Sequence, residues 1–555
     1  MPELVLHLLL YLDPTSISRL MQTSRCLKDI STPALYYHVK IDFESTKPKH
    51  NIFTSTESIL ELARNQQEEE EEEEEEEERE EGLLPTIRIF YCAPYKDCPY
   101  RLPKFCDPKA TLTYICWIMD CNPHLQDVGL YKVLVSDQRD IRLLTTSIFG
   151  LKHLQRGVLE LNYRDWEESA QSFRWAPIFF GCCPPSVQCF QLELLHSDMY
   201  WNWPFDRRQA EPIWQKSDQD CGLLPITTMA TNLPLRGQEP LTNLTKLMFL
   251  DLIEEIVPEE EFRSMLGQCP NLKHLTMPTV EPIRNPRDLA REIARLCPRL
   301  TFINTTHGVG GIGIWETMVW LLEMLPKQLV QGFDCGGDVS FEISGLSQNT
   351  DVRSLFWRHS TTLQTIHLGG CRNFDSKAIQ AILIGCGGVE SLTVHWSIHW
   401  SATRDPHQQL CLYLEDAIEV PWACARGLQV LMLTVAIPDQ PLRHLTQGQD
   451  LFYERPSPLT LSEEETRQFE LLEALYRQIG AMSELRTLDL RAIYYDPQGN
   501  RGSSADYLLN SFPALLHLND AAHTETGRPG YLHHLGGLTK LEELMGSMTL
   551  TKETT

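Results

Sequence analysis

Six residues early in the chain are of the types that bind zinc: Cys92, Cys98, Cys106, Cys116, Cys121 and His124. Zinc takes thiolates and imidazoles in a tetrahedral shell, and ligand pairs usually sit two to four residues apart. Only Cys116 with Cys121 comes near that spacing. Cys182 and Cys183 are adjacent and cannot easily ligate one ion. His395 and His399 stand four apart, but they fall in and just beyond a strand rather than on a helix. The run at 308–313 (GVGGIG) is glycine-rich but lacks the basic residue of a phosphate loop, and it reads as a flexible turn. No dinucleotide fingerprint is assigned, and GxSxG, HExxH and GxxxxGK[ST] are absent. The expectation is a protein with no catalytic residue, no metal and no cofactor, and so not an enzyme.

The totals fit a binding protein. The chain has 555 residues, which implies several domains or one extended repeat array. Its net charge is −26, of which residues 68–81 supply −12 through 13 acids and one arginine. Nucleic-acid binding needs clustered Lys and Arg, so direct contact with nucleic acid is not expected. The 17 cysteines are scattered with no CxxC pair, which points to a reducing compartment, cytoplasmic and/or nuclear. No apolar run reaches the roughly 18–20 residues that span a bilayer, so no membrane partner is expected. Residues 4–12 are apolar, but no basic residue precedes them and Asp13-Pro14 stands where a cleavage site would be, so no signal peptide is expected.

The first forty-five residues read as three short helices. Leu4, Leu8 and Leu12 form one helical stripe with Leu9 beside it. Asp13-Pro14 ends this helix, because the residue before proline disfavours the helical region. Thr15 or Ser16 can cap a second helix with Ile17, Leu20 and Met21, and Ser24 a third with Leu27 and Ile30. So small a bundle needs a neighbour to complete its apolar surface.

Residues 2–40 resemble the F-box motif: a Pro-Glu-Leu start, an aliphatic helix, "YLDP" followed by "ISRL", a basic helix and a closing proline–aromatic segment. The chain departs from that pattern at the third helix, where the common tryptophan is Leu27, and at the end, where Tyr36 or Tyr37 replaces another. The resemblance implies docking on a Skp-type adaptor, and through it on a cullin, by Pro2, Leu4, Leu8, Leu9, Leu12, Ile17 and Leu20.

Residues 45–86 read as an acidic, disordered linker. Residues 68–78 are eleven consecutive glutamates, whose i,i+4 repulsion disfavours an isolated helix. The tract is a solvated spacer or, in the alternative, a lure for basic proteins.

Repetition is the clearest signal. Leu363, Ile366 and Leu368 precede Cys371, a helical segment carries Ala378, Ile379 and Ile382, and Cys386 leads to Val389, Leu392 and Val394. Leu363 and Val389 are 26 residues apart. This resembles the cysteine-containing leucine-rich repeat, in which positions 1, 4 and 6 point inward and the helix returns the chain for a parallel strand. The frame recurs at Leu272-Leu275-Met277, Leu300-Ile303, Leu428-Leu431-Leu433 and Leu485-Leu488-Leu490, and it is read also at Leu247-Leu250-Leu252. Cys269, Cys297 and Cys386 each precede a strand position by three residues, as buried repeat elements do. Further strands are expected at Leu515-Leu518 and Leu541-Leu544, and less regular ones at Ile87-Ile89, Val133-Val135, Leu159-Leu161 and Leu192-Leu194.

The fold expected is α/β: a short all-α F-box (1–44), the linker, irregular repeats (87–240), then a solenoid (241–550) with parallel strands on its concave side and helices outside. Insertions are expected at 200–240, 438–461 and 494–504. Trp201, Trp203, Trp214, Trp396, Trp400 and Trp422 are the candidate anchors for a partner, since interfaces favour tryptophan. Together these features imply a substrate receptor of a Skp–cullin–F-box-type ubiquitin ligase, or else a repeat scaffold that binds basic proteins through its acidic tract. The protein substrate itself is not legible.

Overall fold

The structure is a computed structural model and describes Arg19 and residues 38–42, 89–93, 108–135, 138–163, 175–196, 239–250, 257–280, 283–305, 312–335, 352–369, 374–395, 411–438, 463–495 and 531–545. The chain divides into two compact units, Met1–Leu272 with Pro278–Val280 and Lys273–Met277 with Glu281–Thr555.

The first unit runs β1 (His38–Asp42), β2 (Ile89–Ala93), α1 (Pro108–Cys121), β3 (Asp127–Val135), α2 (Gln138–Gly150), β4 (Arg156–Tyr163), α3 (Trp175–Cys182), β5 (Cys189–His196), β6 (Lys246–Leu250) and α4 (Glu259–Gly267). Each strand pairs in parallel with the next. Parallel neighbours cannot be joined by a tight hairpin, and α1, α2 and α3 are the crossovers from β2 to β3, β3 to β4 and β4 to β5. One strand lies inside the segment read as F-box: β1 pairs with β2, so residues 45–86 connect two neighbouring strands of one unit.

The second unit runs β7 (His274–Met277), α5 (Pro286–Leu296), β8 (Phe302–Thr305), α6 (Ile312–Met324), β9 (Gly332–Cys335), α7 (Val352–Trp357), β10 (Thr365–Gly369), α8 (Ser376–Gly385), β11 (Ser391–His395), β12 (Leu412–Tyr413), α9 (Leu414–Glu419), β13 (Val430–Pro438), α10 (Glu463–Gly480), β14 (Thr487–Tyr495) and β15 (Glu543–Met545). These strands too are parallel, in sequence order except that β12 pairs only with the far end of β13.

The segment from β10 to β11 shows how sequence makes a repeat. Strand side chains alternate between faces, so Ile366 and Leu368 go inward with Leu363 while Thr365 and His367 face out. Asp375 then caps α8, its Oδ1 accepting from the Ala378 N–H at 2.8 Å, which satisfies one of the donors a helix start leaves unpaired. Ala378, Ile379 and Ile382 are buried. The Cys386 carbonyl accepts from the Val389 N–H at 3.2 Å and closes the turn into β11. Ile366 then lies opposite Leu392 and Leu368 opposite Val394. The start of α5 follows the same logic: Asn285 accepts from the Arg287 and Asp288 N–H groups and Pro286 takes the first helical position, where its missing N–H costs nothing.

A backbone ladder joins successive repeats. In the second unit the carbonyl just before each of β7–β11, β13 and β14 accepts two N–H groups from the next repeat. Lys273 accepts from Thr301 and Phe302, Thr301 from Gln331 and Gly332, Gln331 from Gln364 and Thr365, and Gln364 from Glu390 and Ser391, at 2.7–3.1 Å. It continues through Glu390, Gln429 and Arg486. In the first unit Gln126, Gln155 and Gln188 do the same. One repeat cannot bury its own apolar face, and this ladder fixes the register in which neighbours stack.

The frame holds at Leu272-Leu275-Met277, Leu300-Ile303, Leu428-Leu431-Leu433 and Leu485-Leu488-Leu490, all buried. It is corrected at β6. There Leu244, Leu247 and Phe249 are fully buried while Leu250 is only half-buried, so the inward positions are these three and the frame does not run through Leu250; Leu252 lies outside the described residues. The Leu-rich run offered two frames three residues apart, and packing selects the earlier one. Pro438 and Tyr494 are likewise strand residues rather than starts of insertions, since Ile437 pairs with Tyr494 and Pro438 with Tyr495.

Candidate protein-binding face

The residues that alternate with the buried frame form an open face on the second unit's sheet. Two rows run across its strands. In the first, His274, Phe302, Gly332 and Thr365 stand in register, and in the second Thr276, Asn304, Asp334 and His367 do so, with Thr276 buried at the end of its row. The His274 and Phe302 rings stack with centroids 4.4 Å apart and planes 17° apart. At Gly332 the row has no side chain, and a Cβ there would lie 2.1 Å from the edge of the Phe302 ring. The strand β9 therefore makes room for that ring. In the second row His367 Nδ1 lies 3.0 Å from Asp334 Oδ1, with both side chains about a quarter exposed. Asn304 Oδ1 beside them is buried without a hydrogen-bond partner.

The first unit's open face is built alike but charged differently. Arg156 Nη1 lies 3.6 Å from Asp127 Oδ2, and Arg156, Cys189 and Lys246 share one row. Burial raises the Cys189 thiol, an effect that Lys246 and Arg156 partly oppose.

None of the sequence-predicted adaptor-binding residues (Pro2, Leu4, Leu8, Leu9, Leu12, Ile17 and Leu20) lies within the described residues; Arg19, which is not one of them, is helical and exposed. Trp201, Trp203, Trp214, Trp396 and Trp400 also lie outside them. Trp422 is corrected: it is buried, and its indole N–H donates to the Ala417 carbonyl at 2.9 Å, so it packs the core rather than anchoring a partner. Residues 308–313 do carry the G-x-G-x-x-G spacing, between β8 and α6. Gly313 is not a flexible turn: it is helical, and a Cβ there would meet the Ile283 Cβ at 2.9 Å. Gly308 and Gly310 lie outside the described residues.

The thiols of Cys116, Cys297, Cys386, Cys411 and Cys424 are pushed up to about 12, chiefly by burial. These are protonated packing groups. Among the described residues no three His, Cys, Asp or Glu side chains are placed to hold a metal ion, and no helix is long and apolar enough to cross a membrane.

No family model and no curated protein matches the chain. Among solved structures the chain is similar to the leucine-rich repeat-containing protein LegL7 from Legionella pneumophila, at 12% identity and a TM-score of 0.26, over 69% of this chain and 94% of that one. The leucine-rich-repeat-like character of the sheet rests instead on the strand order, the buried frame and the ladder.

The residues missed in sequence are Phe302, Asn304, Asp334 and His367. Their signal was available: each directly precedes or follows a frame position in a strand. The frame leucines repeat and mark themselves, whereas the residues that alternate with them differ from strand to strand.

Proposed function

We propose that the chain is a protein-binding repeat scaffold, and that it acts as the substrate-recognition subunit of a Skp–cullin–F-box-type ubiquitin ligase. The observation that carries the scaffold reading is the open face of the second unit. Its ladder satisfies the backbone and its frame fills the interior, so the alternating side chains are left to meet a partner. A repeated sheet offers such a surface over many strands.

The ligase reading is supported by the resemblance of residues 2–40 to the F-box, in which Pro2, Leu4, Leu8, Leu9, Leu12, Ile17 and Leu20 meet a Skp-type adaptor. The receptor does no chemistry of its own. Holding a target beside a ubiquitin-charged enzyme raises its effective concentration there. The partners are the adaptor, through it a cullin, and a protein substrate, in the cytoplasm or nucleus.

The test is co-purification of the tagged full chain with its host's adaptor and cullin, for the wild type and a Leu8→Asp/Leu12→Asp variant. Two unpaired charges in a small apolar interface abolish docking. The wild type is expected to retain both proteins and the variant neither. Loss of neither, or retention by neither, removes the ligase reading and leaves the scaffold.

A further inference from the structure

We infer that His124 and His153 together hold one divalent transition-metal ion at the surface of the first unit, with water in its remaining positions.

The pair is built by the repeat. His124-Leu125-Gln126 recurs 29 residues later as His153-Leu154-Gln155. In each copy the leucine is a buried frame residue. The backbone around each histidine is fixed. The Leu125 N–H donates to the Asn122 carbonyl and the Leu154 N–H to the Leu151 carbonyl, both at 3.1 Å, and the Gln155 N–H donates to the Gln126 carbonyl at 2.7 Å. The two turns are thus held in register, and the histidine before each buried leucine meets its counterpart. Both imidazoles are exposed. Their centroids lie 5.1 Å apart and their planes 36° apart.

The same position does another job in later repeats of this unit. Ser186, Asn243 and Asn271 also stand just before a buried frame residue. Each donates its side chain to a carbonyl of the preceding repeat, Leu154 at 2.8 Å, Pro185 at 3.0 Å and Thr242 at 2.8 Å. His124 and His153 meet ring to ring instead.

The spacing suits a shared ion. Imidazole is the commonest protein ligand of metals and suits zinc, copper and nickel. With a metal–nitrogen bond of about 2.0–2.1 Å, two imidazoles on one ion have centroids about 4.5–5.2 Å apart. The observed 5.1 Å lies in that window. Both rings are at the surface, so rotation about their soft final torsions brings a nitrogen of each to the ion without disturbing the core. Holding both on fixed turns makes the second bond intramolecular, which raises affinity above that of a single histidine. Sequence spacing groups His124 with Cys116 and Cys121, but its partner comes from the next repeat. Among the described residues no third His, Cys, Asp or Glu joins the pair, so the rest of the ion's shell is left to water.

The experiment is titration of the full chain with copper(II) nitrilotriacetate, read by electron paramagnetic resonance. The chelator leaves only a pair of neighbouring positions open on the ion, so tight uptake needs two imidazoles held together. The complex is an anion, so the glutamates at 68–78 repel it. The wild type is expected to show nitrogen coupling from two imidazoles. His124→Gln and His153→Gln should each weaken uptake by about tenfold or more, and the double variant should be no weaker than either. Such non-additivity marks one ion shared by two side chains, and the double variant also gives the uptake by other histidines. Both positions are exposed, so all three variants should keep the wild-type melting temperature. Losses that simply add, or wild-type uptake that neither variant weakens, overturns the inference and leaves the two rings as a packing contact.

Discussion

The imidazole of His359 reaches back one repeat. Its Nε2 lies 2.9 Å from the Leu322 carbonyl oxygen, and the Leu329 and Val330 N–H groups donate to its Nδ1 at 3.3 and 3.4 Å. With Nδ1 accepting, the ring is neutral and its proton sits on Nε2. Burial, the largest cause, and Arg358 hold its pKa below the ordinary 6.5, against the opposing hydrogen bond to Leu322. The unfolded chain therefore takes up this proton first as pH falls. The stabilisation is complete above 6.5 and is lost as pH falls from there through the lowered folded value. Urea unfolding from about pH 8 to about pH 5 is expected to show a steeper loss for the wild type than for His359→Gln. At neutral pH, His359→Ala is expected to cost about 2–3 kcal/mol, because it strands a carbonyl and two N–H groups. Parallel pH profiles for wild type and His359→Gln would remove this role.

The two faces of β10 predict opposite responses. Leu363 is fully buried ahead of the strand, and Leu363→Ala is expected to cost about 2–5 kcal/mol. Thr365 lies on the open face, and Thr365→Ala is expected to stay within about 0.5 kcal/mol. Chemical denaturation measures both, and a reversed order would mean that the frame is misplaced.

The frame was legible in sequence because branched aliphatic residues recur at three fixed positions with a capped helix between them. Asn285-Pro286 and Cys386 mark their elements for physical reasons that need no neighbour. What was not legible depended on which neighbour each residue meets. At β6 the run Leu244 to Leu252 satisfies two frames, and only stacking chooses between them. Pro438 and Tyr494 look like loop residues until they are seen to pair with the adjacent strand. The binding face was hidden because its residues are of mixed type. Phe302, Gly332 and Thr365 share no chemistry, and only the register brings them together.

Gly480 ends α10 against the short 3₁₀ helix Tyr531–Gly537. A Cβ at Gly480 would lie 1.9 Å from the His534 carbonyl oxygen, which belongs to the backbone and cannot swing aside. Gly480→Ala is expected to destabilise by about 1–3 kcal/mol. Hydrogen exchange should place the loss at Leu538 and Leu541, which follow that helix. An unchanged melting temperature would contradict the contact.

Thiol chemistry checks the buried cysteines. Cys116, Cys297, Cys386, Cys411 and Cys424 are buried and, at about 12, stay protonated near neutral pH. The thiolate is the reactive form. Alkylation followed by mass spectrometry should find these five modified only as the protein unfolds, with the half-buried Cys189 modified ahead of them. Rapid native-state modification of Cys386 would contradict its place in the repeat turn.

The most direct measurement of the central claim is co-expression of the full chain with a Skp-type adaptor, followed by size-exclusion chromatography with light scattering. The account predicts a one-to-one complex for the wild type and separate elution for Leu8→Asp/Leu12→Asp. A wild-type chain that elutes apart from the adaptor would contradict it.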